Sequence, residues 1–104
     1  MHILTNLNLS SDVQSFVLSH KLMFRPFKHI YLFGSILKET VTPKDIDLLL
    51  IYLKYSSEIA DKVKQICANL ERQFCMPIDL TTLSAAELVD TDFLNKVVHY
   101  LKVK

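Results

Sequence analysis

Glycine, tryptophan and cysteine are scarce in this chain of 104 residues, which contains one glycine, no tryptophan and two cysteines. Cys67 and Cys75 form no CxxC pair, and two thiols make no disulfide framework, which favours a protein of the reducing cytoplasm. A chain that uses glycine once is expected to need it where it stands, at Gly34.

Long apolar runs and a leader sequence are missing as well. The longest apolar run extends from Leu48 to Leu53, whereas a membrane-spanning helix needs about 18–20 apolar residues. The first ten residues lack the basic start and the long apolar stretch of a signal peptide. We therefore expect no membrane partner and a cytoplasmic location.

An excess of charge of one sign is also absent. Twelve Lys and Arg residues against eleven Asp and Glu leave a formal net charge of +1, which is no electrostatic footprint for nucleic acid. Half of the residues are hydrophobic and 22% are charged, a balance typical of a packed core. With no repeat and no linker, residues 1–104 are predicted to form a single domain.

Hydrophobic periodicity and stop signals divide the chain into short helices and strands. Capping-box patterns begin at Ser11 and Ser84, and Ser57 is expected to cap the helix between them. Strands are predicted over 29–33, 45–53 and 77–82. Helices are predicted over about 11–22, from 57 until Pro77 stops the helix, and after 84, with one or two helical turns over 35–41. A final helix is predicted to contain Phe93, Leu94, Val97, Val98 and Leu101. This order predicts an α/β (α+β) chain with a small mixed sheet and helices packed on it.

Three carboxylates stand in otherwise apolar strand sequences. Asp45 and Asp47 are two residues apart on a predicted strand, so the period of two places both on one face. Adjacent carboxylates repel each other, and a divalent cation removes that cost. Asp79, on the next predicted strand, reaches the same site if the two strands are neighbours. Three converging carboxylates are what a two-metal phosphoryl-transfer centre requires, and Mg²⁺ prefers such oxygen ligands.

The pair Gly34-Ser35 lies between a predicted strand and a predicted helical turn. Glycine lets the backbone approach a phosphate closely, the start of a helix offers unpaired N–H groups, and the serine hydroxyl adds a donor. Taken alone, a Gly-Ser pair after a strand is usually a turn, and an Asp-x-Asp pair is often a solvated strand start. Their ordered combination with Asp79 favours a functional site that places a triphosphate beside metal ions.

The segment from Lys21 to His29 mixes basic and aromatic residues, a combination that can bind nucleic acid. Because it links a helix to a buried strand, we favour a solvated connector in which Phe24 and Phe27 anchor the chain to the core. Both alternatives remain open from the sequence.

The ordered stretch IYLFGSILKETVTPKDIDLLLIY, followed by MPIDLTTL, resembles the DNA polymerase β-like nucleotidyltransferase superfamily, and within it the minimal nucleotidyltransferase (MNT) branch. The resemblance covers nearly the whole chain and implies that fold. It implies that Gly34 and Ser35 bind the phosphates of a nucleoside triphosphate, and that Asp45, Asp47 and Asp79 are the catalytic carboxylates that hold two Mg²⁺ ions. Asp79 would also help to activate the acceptor hydroxyl.

The sequence departs from this family after the Gly-Ser pair. Many members continue with a basic residue and a glycine, whereas Lys38 stands here at the basic position and Glu39 replaces the glycine. The resemblance implies that Lys38 contributes a positive charge to nucleotide binding. Lys44 replaces a small hydroxyl residue that often precedes the first aspartate.

The resemblance also implies a function. MNT members often pair with a HEPN-domain ribonuclease toxin and act as the antitoxin, transferring AMP from ATP to a tyrosine of the toxin. A nucleic acid is not expected as the direct acceptor, since the net charge is close to zero. Two alternatives stay open: an antitoxin that binds such a partner without catalysis, and a nucleotidyltransferase that modifies a small molecule with the help of a separate substrate-binding subunit.

Overall fold

The chain folds into a four-stranded mixed sheet with helices on both faces. The computed structural model describes residues 6–38 and 42–104. The strands are β1 (His29–Phe33), β2 (Ile46–Tyr52), β3 (Ile78–Ser84) and β4 (Tyr100–Lys102), and they lie in the order β3-β2-β1-β4. Strand β2 is parallel to β3 and antiparallel to β1, and β1 is antiparallel to β4. This architecture confirms the predicted fold class.

The described residues also form five α-helices and one short 3₁₀ turn. They are α1 (Asn6–Ser19), α2 (Lys21–Phe24), the 3₁₀ turn Gly34–Leu37, α3 (Ser57–Phe74), α4 (Ala85–Thr91) and α5 (Phe93–Val97). No helix in the described ranges is both long and apolar enough to cross a membrane.

The main core lies between the sheet and helices α1, α2 and α3. Alternate residues of β1 and β2 face it, and they are fully buried because each strand turns successive side chains to opposite faces. The buried residues on this side include Val13, Phe24, Ile30, Leu32, Leu48, Leu50, Ile66 and Leu70. On the other face, Tyr31, Leu49 and Ile51 form a smaller buried cluster against residues of α4 and α5.

Several helix boundaries differ from the predictions. Helix α1 begins at Asn6, so Ser11 lies inside the helix, and Gln14 Nε2 instead donates to Ser10 Oγ at 3.3 Å. Helix α3 is capped by Ser56, whose hydroxyl accepts from the backbone of Ile59, and it ends before Pro77. A left-handed residue, Cys75, with φ of 53°, stops it instead, and its amide donates to the carbonyl of Glu71.

Other boundaries agree with the predictions. The capping box at Ser84 is present, since its hydroxyl accepts from the amide of Glu87 and the Glu87 carboxylate accepts from the amide of Ser84. The helical turns expected after Gly34 are a 3₁₀ turn as far as Leu37, and the rest of that prediction, 39–41, lies outside the described residues.

The predicted final helix is wrong in its second half. Helix α5 ends at Val97, and Val98, with φ of 67°, turns the chain into β4, which contains Leu101. Strand β4 pairs with the edge of β1, and the amide of Val103 donates to the carbonyl of Ile30 at 2.8 Å. Pairing with the open edge of β1 therefore outweighs the helical tendency of this segment, which is weak because the segment contains β-branched residues.

Candidate active site

Two of the predicted carboxylates lie side by side on the sheet. Asp47 of β2 is in register with Asp79 of the parallel strand β3 and with Phe33 of the antiparallel strand β1. Phe33 is in turn in register with Tyr100 of β4. Residues in register share a face, so one row across the sheet reads Asp79, Asp47, Phe33, Tyr100. The structure thus confirms that the strands carrying Asp47 and Asp79 are neighbours.

Gly34 lies directly beneath the carboxylate of Asp47. Its φ is +85°, and a Cβ atom added there would collide with Asp47 Oδ2 and lie 3.0 Å from Cγ of that residue. Any other side chain would meet both backbone strain and this collision. The single glycine of the chain therefore stands where the end of β1 passes closely under the carboxylate at the start of β2.

The environment of Asp47 favours the protonated carboxyl. Burial is the largest cause that raises the pKa of Asp47, and the negative charges of Asp45 and Asp79 raise it further, to about 6. A side-chain hydrogen bond to Asp79 acts in the same direction. Where like-charged carboxylates lie together and are partly buried, either one carboxyl keeps its proton or a bound cation replaces that proton.

Asp45 stands one residue before β2 instead of inside the strand. It is half-buried and close enough for its charge to raise the pKa of Asp47. Within residues 6–38 and 42–104, no three His, Cys, Asp or Glu side chains already surround one point as a closed metal-ligand set. Mg²⁺ commonly takes only one or two protein carboxylates and completes its shell with water and phosphate oxygens. The adjacent carboxylates of Asp47 and Asp79, with Asp45 nearby, fit such an ion chemically.

Ser35 lies in the 3₁₀ turn that begins at Gly34, and Lys38 directly follows the turn. The amide of Lys38 donates to the carbonyl of Ser35 at 3.0 Å, and the Lys38 side chain is exposed at the end of the turn. The turn is four residues long, which is shorter than the helix start that the sequence suggested. The roles of Gly34, Ser35 and Lys38 in nucleotide binding, and of the three aspartates in metal binding, stay predictions.

An aromatic group beside the carboxylates was missed by sequence reasoning. The ring of Phe33 contacts that of Phe93 edge-on at 5.4 Å, and the rings of Tyr31 and Tyr100 make a similar contact at 5.5 Å. The alternation of Tyr31 and Phe33 along a strand is a signal that the two rings share a face. No local sequence pattern indicates that the rings of Phe93 and Tyr100 lie beside β1, because only the tertiary fold brings them there.

One comparison with known proteins, that with protein-family models, gives a match. The family model described as "Polymerase beta, Nucleotidyltransferase" matches residues 7–100. The chain belongs to this family. Comparison with curated proteins and with solved structures gives no match. The match confirms the resemblance to the polymerase β-like nucleotidyltransferases and is consistent with the minimal branch. The single-domain prediction for residues 1–104 stays a prediction.

Proposed function

We propose that this nucleotidyltransferase-family chain is a cytoplasmic, Mg²⁺-dependent protein adenylyltransferase. It transfers AMP from ATP to a tyrosine hydroxyl of a HEPN-domain toxin and thereby acts as the antitoxin. The observation that supports transfer chemistry most directly is the pairing of Asp47 and Asp79 on one face of the sheet, with Gly34 against the Asp47 carboxylate. The protein acceptor and the antitoxin role rest on the family resemblance.

Each residue has a defined part in the proposed reaction. Asp45, Asp47 and Asp79 would hold two Mg²⁺ ions, which supply positive charge to the triphosphate and to the attacking oxygen when bound. Gly34 and Ser35 would bind the phosphates and Lys38 would contribute a cation, while the space that a side chain at position 34 would need is already taken by the Asp47 carboxylate. The acceptor hydroxyl attacks the α-phosphorus, the bond to pyrophosphate breaks, and the hydroxyl proton passes to Asp79.

The negative field around Asp47 also explains why a cation is needed. Without one, the carboxylates of Asp45, Asp47 and Asp79 would repel a triphosphate; burial, and after it the charges of Asp45 and Asp79, raise the pKa of Asp47. The exposed Lys38 supplies a single positive charge on the side of the 3₁₀ turn. We therefore expect an anionic substrate to bind at this acidic site together with metal.

The experiment is intact-mass spectrometry of the HEPN-domain partner after co-expression with three forms of the chain. These are the wild type, the double variant Asp45→Asn plus Asp47→Asn, and a control variant with Asp61→Asn plus Asp90→Asn. The control residues are exposed, lie on α3 and α4, and are not among the carboxylates that raise the pKa of Asp47. A partner that is heavier by one or more AMP units with the wild type and the control, and unmodified with the double variant, supports the proposal.

The other outcomes separate the two alternatives. An unmodified partner that co-purifies equally with all three forms and remains inactive would replace the proposal with a binding antitoxin. A nucleotidylated small molecule, without any protein adduct, would instead indicate the small-molecule enzyme. Circular dichroism of the purified variants verifies that a lost modification does not reflect an unfolded chain.

A further inference from the structure

Two exposed leucines lie on the side of the molecule formed by α1 and α2. Leu18 is 58% exposed and Leu22 is 76% exposed. A cavity of about 350 Å³ beside them is lined mainly by apolar groups, with Val17 and Phe24 at its base. Two further depressions also reach Leu22, one toward Gln65 and one toward Pro26. Leu22 thus forms an apolar ridge among three hollows, and we call this area the Leu22 surface.

Charge on the Leu22 surface is strongly one-sided. The residues lining its three hollows include four basic side chains, which are Lys21, Arg25, Lys62 and Lys104, and one carboxylate side chain, Glu58. The whole chain has twelve basic and eleven acidic residues, so this local excess is not a consequence of composition. Apolar centres with a polar rim are typical of protein-binding sites.

The cation of Lys104 is held in place by the fold. Its ammonium group donates to the carbonyl oxygen of Phe24 at 3.0 Å, and its backbone pairs with Ile30 of β1. Lys104 therefore ties the end of α2 to the sheet, and burial lowers the pKa of its amine. The hollow between Leu18 and Lys104 is a built feature of the domain and is present before any partner binds.

The aromatic residues of this region are unsuited to stacking on nucleic-acid bases. Phe24 and Phe27 are each 1% exposed, and the ring of His20 already stacks on Phe16 at 4.0 Å. The sequence alternative of a basic and aromatic nucleic-acid surface is therefore disfavoured, and the phenylalanines act as the predicted anchors. What remains exposed is aliphatic carbon surrounded by positive charge.

We infer that the Leu22 surface binds a partner protein through an acidic amphipathic helix, whose apolar side chains contact Leu18 and Leu22 and whose carboxylates face the basic rim. An aliphatic groove takes an amphipathic helix through apolar residues at i, i+4 and i+7, and complementary charge orients it. The surface lies on the helices that cover the opposite side of the sheet from Asp47. The inference stands independently of the proposed transfer activity.

The test is fluorescence anisotropy with a labelled helical peptide of about 15 residues, which carries leucines at i, i+4 and i+7 and glutamates on both flanks. The full chain is titrated at low salt. We expect saturable binding that weakens about tenfold when the glutamates of the peptide are replaced by glutamine, and by a similar factor in the variant Leu22→Ser. The matched control is Leu53→Ser, at a leucine that is 65% exposed outside this surface.

Any one of three results would overturn the inference. The first is the absence of saturable binding, and the second is equal binding by Leu22→Ser and the wild type. The third is tighter binding of single-stranded RNA or of phosphatidylglycerol vesicles than of the acidic peptide. A second variant, Arg25→Gln, tests the basic rim separately. The Arg25 side chain is exposed, so its replacement removes one rim charge without creating a cavity. Binding that is weakened by Arg25→Gln and unaffected by Asp47→Asn would support a surface separate from the acidic site.

Discussion

Strands β1 and β2 present two faces whose residues alternate along the same backbone. On the face toward α1, α2 and α3, Ile30, Leu32 and Leu48 have no exposed surface. On the other face, Tyr31 is buried, whereas Phe33 and Asp47, at the end of the strands, are half-buried. Neighbouring positions of one strand therefore differ in burial. One side chain is completely buried among apolar groups, and the next contacts solvent and charged groups.

This difference shows how a small domain can keep an unfavourable site. The apolar face supplies the burial that holds β1 and β2 together, so the end of the other face can carry carboxylates that repel each other. The geometry of the site then depends on the apolar face, because Leu48 and Asp47 are consecutive residues of one strand. Three predictions test the two faces, from the largest expected effect on stability to the smallest.

The largest effect on stability is expected on the apolar face. Leu48→Ala removes a fully buried side chain and should lower the free energy of unfolding by about 2–5 kcal/mol, measured by urea denaturation. The control Leu53→Ala, at the exposed position after β2, should change it by less than about 0.5 kcal/mol. Similar losses in the two variants would mean that the burial of Leu48 on the apolar face does not hold the strands in place.

The next effect concerns the close approach of the two strands at the site. Gly34→Ala should lower the free energy of unfolding by about 2–4 kcal/mol, because it adds both backbone strain and a collision with the Asp47 carboxylate. In a chain that also carries Asp47→Ala, the collision is relieved and the loss should be smaller. A double-mutant cycle measures this coupling, and strictly additive losses would show that the contact is unimportant.

The smallest effect is a dependence of stability on pH. Because the pKa of Asp47 is raised to about 6, the folded chain binds more protons than the unfolded chain between about pH 4 and 6. The stability contribution of this carboxyl is therefore fully present below the unfolded pKa and is lost as the pH rises through about 6. Relative to Asp47→Asn, the wild type should lose about 1–2 kcal/mol between pH 4 and 7, after allowance for solvent screening.

Thermal melting at several pH values, with and without Mg²⁺, measures this loss. Addition of Mg²⁺ at pH 7 should restore part of the lost stability in the wild type and less in Asp47→Asn, which keeps only Asp45 and Asp79 as carboxylates at the site. A wild-type profile that runs parallel to that of the variant, in both the absence and the presence of Mg²⁺, would contradict the electrostatic account of the site.

Sequence patterns predicted the elements that carry their own local signals. The run from His29 to Phe33 is β1, the capping box at Ser84 starts α4, and the amphipathic stripe is α3. The candidate residues Asp47 and Asp79 were found because carboxylates are out of place in apolar strands. The cap of α3 was missed by one residue, since Ser56 and Ser57 are chemically equivalent and only the backbone conformation distinguishes them.

By itself, the sequence determined the alternation of β1 and β2 and the membership of the polymerase β-like nucleotidyltransferase family. These features depend on side-chain type and spacing along one segment. Only the tertiary structure decided that residues 100–102 form β4 and that Phe33 and Phe93 meet beside Asp47. Strand pairing and ring contacts join residues that are distant in the chain, and whether they form depends on which edge or face the rest of the fold leaves available.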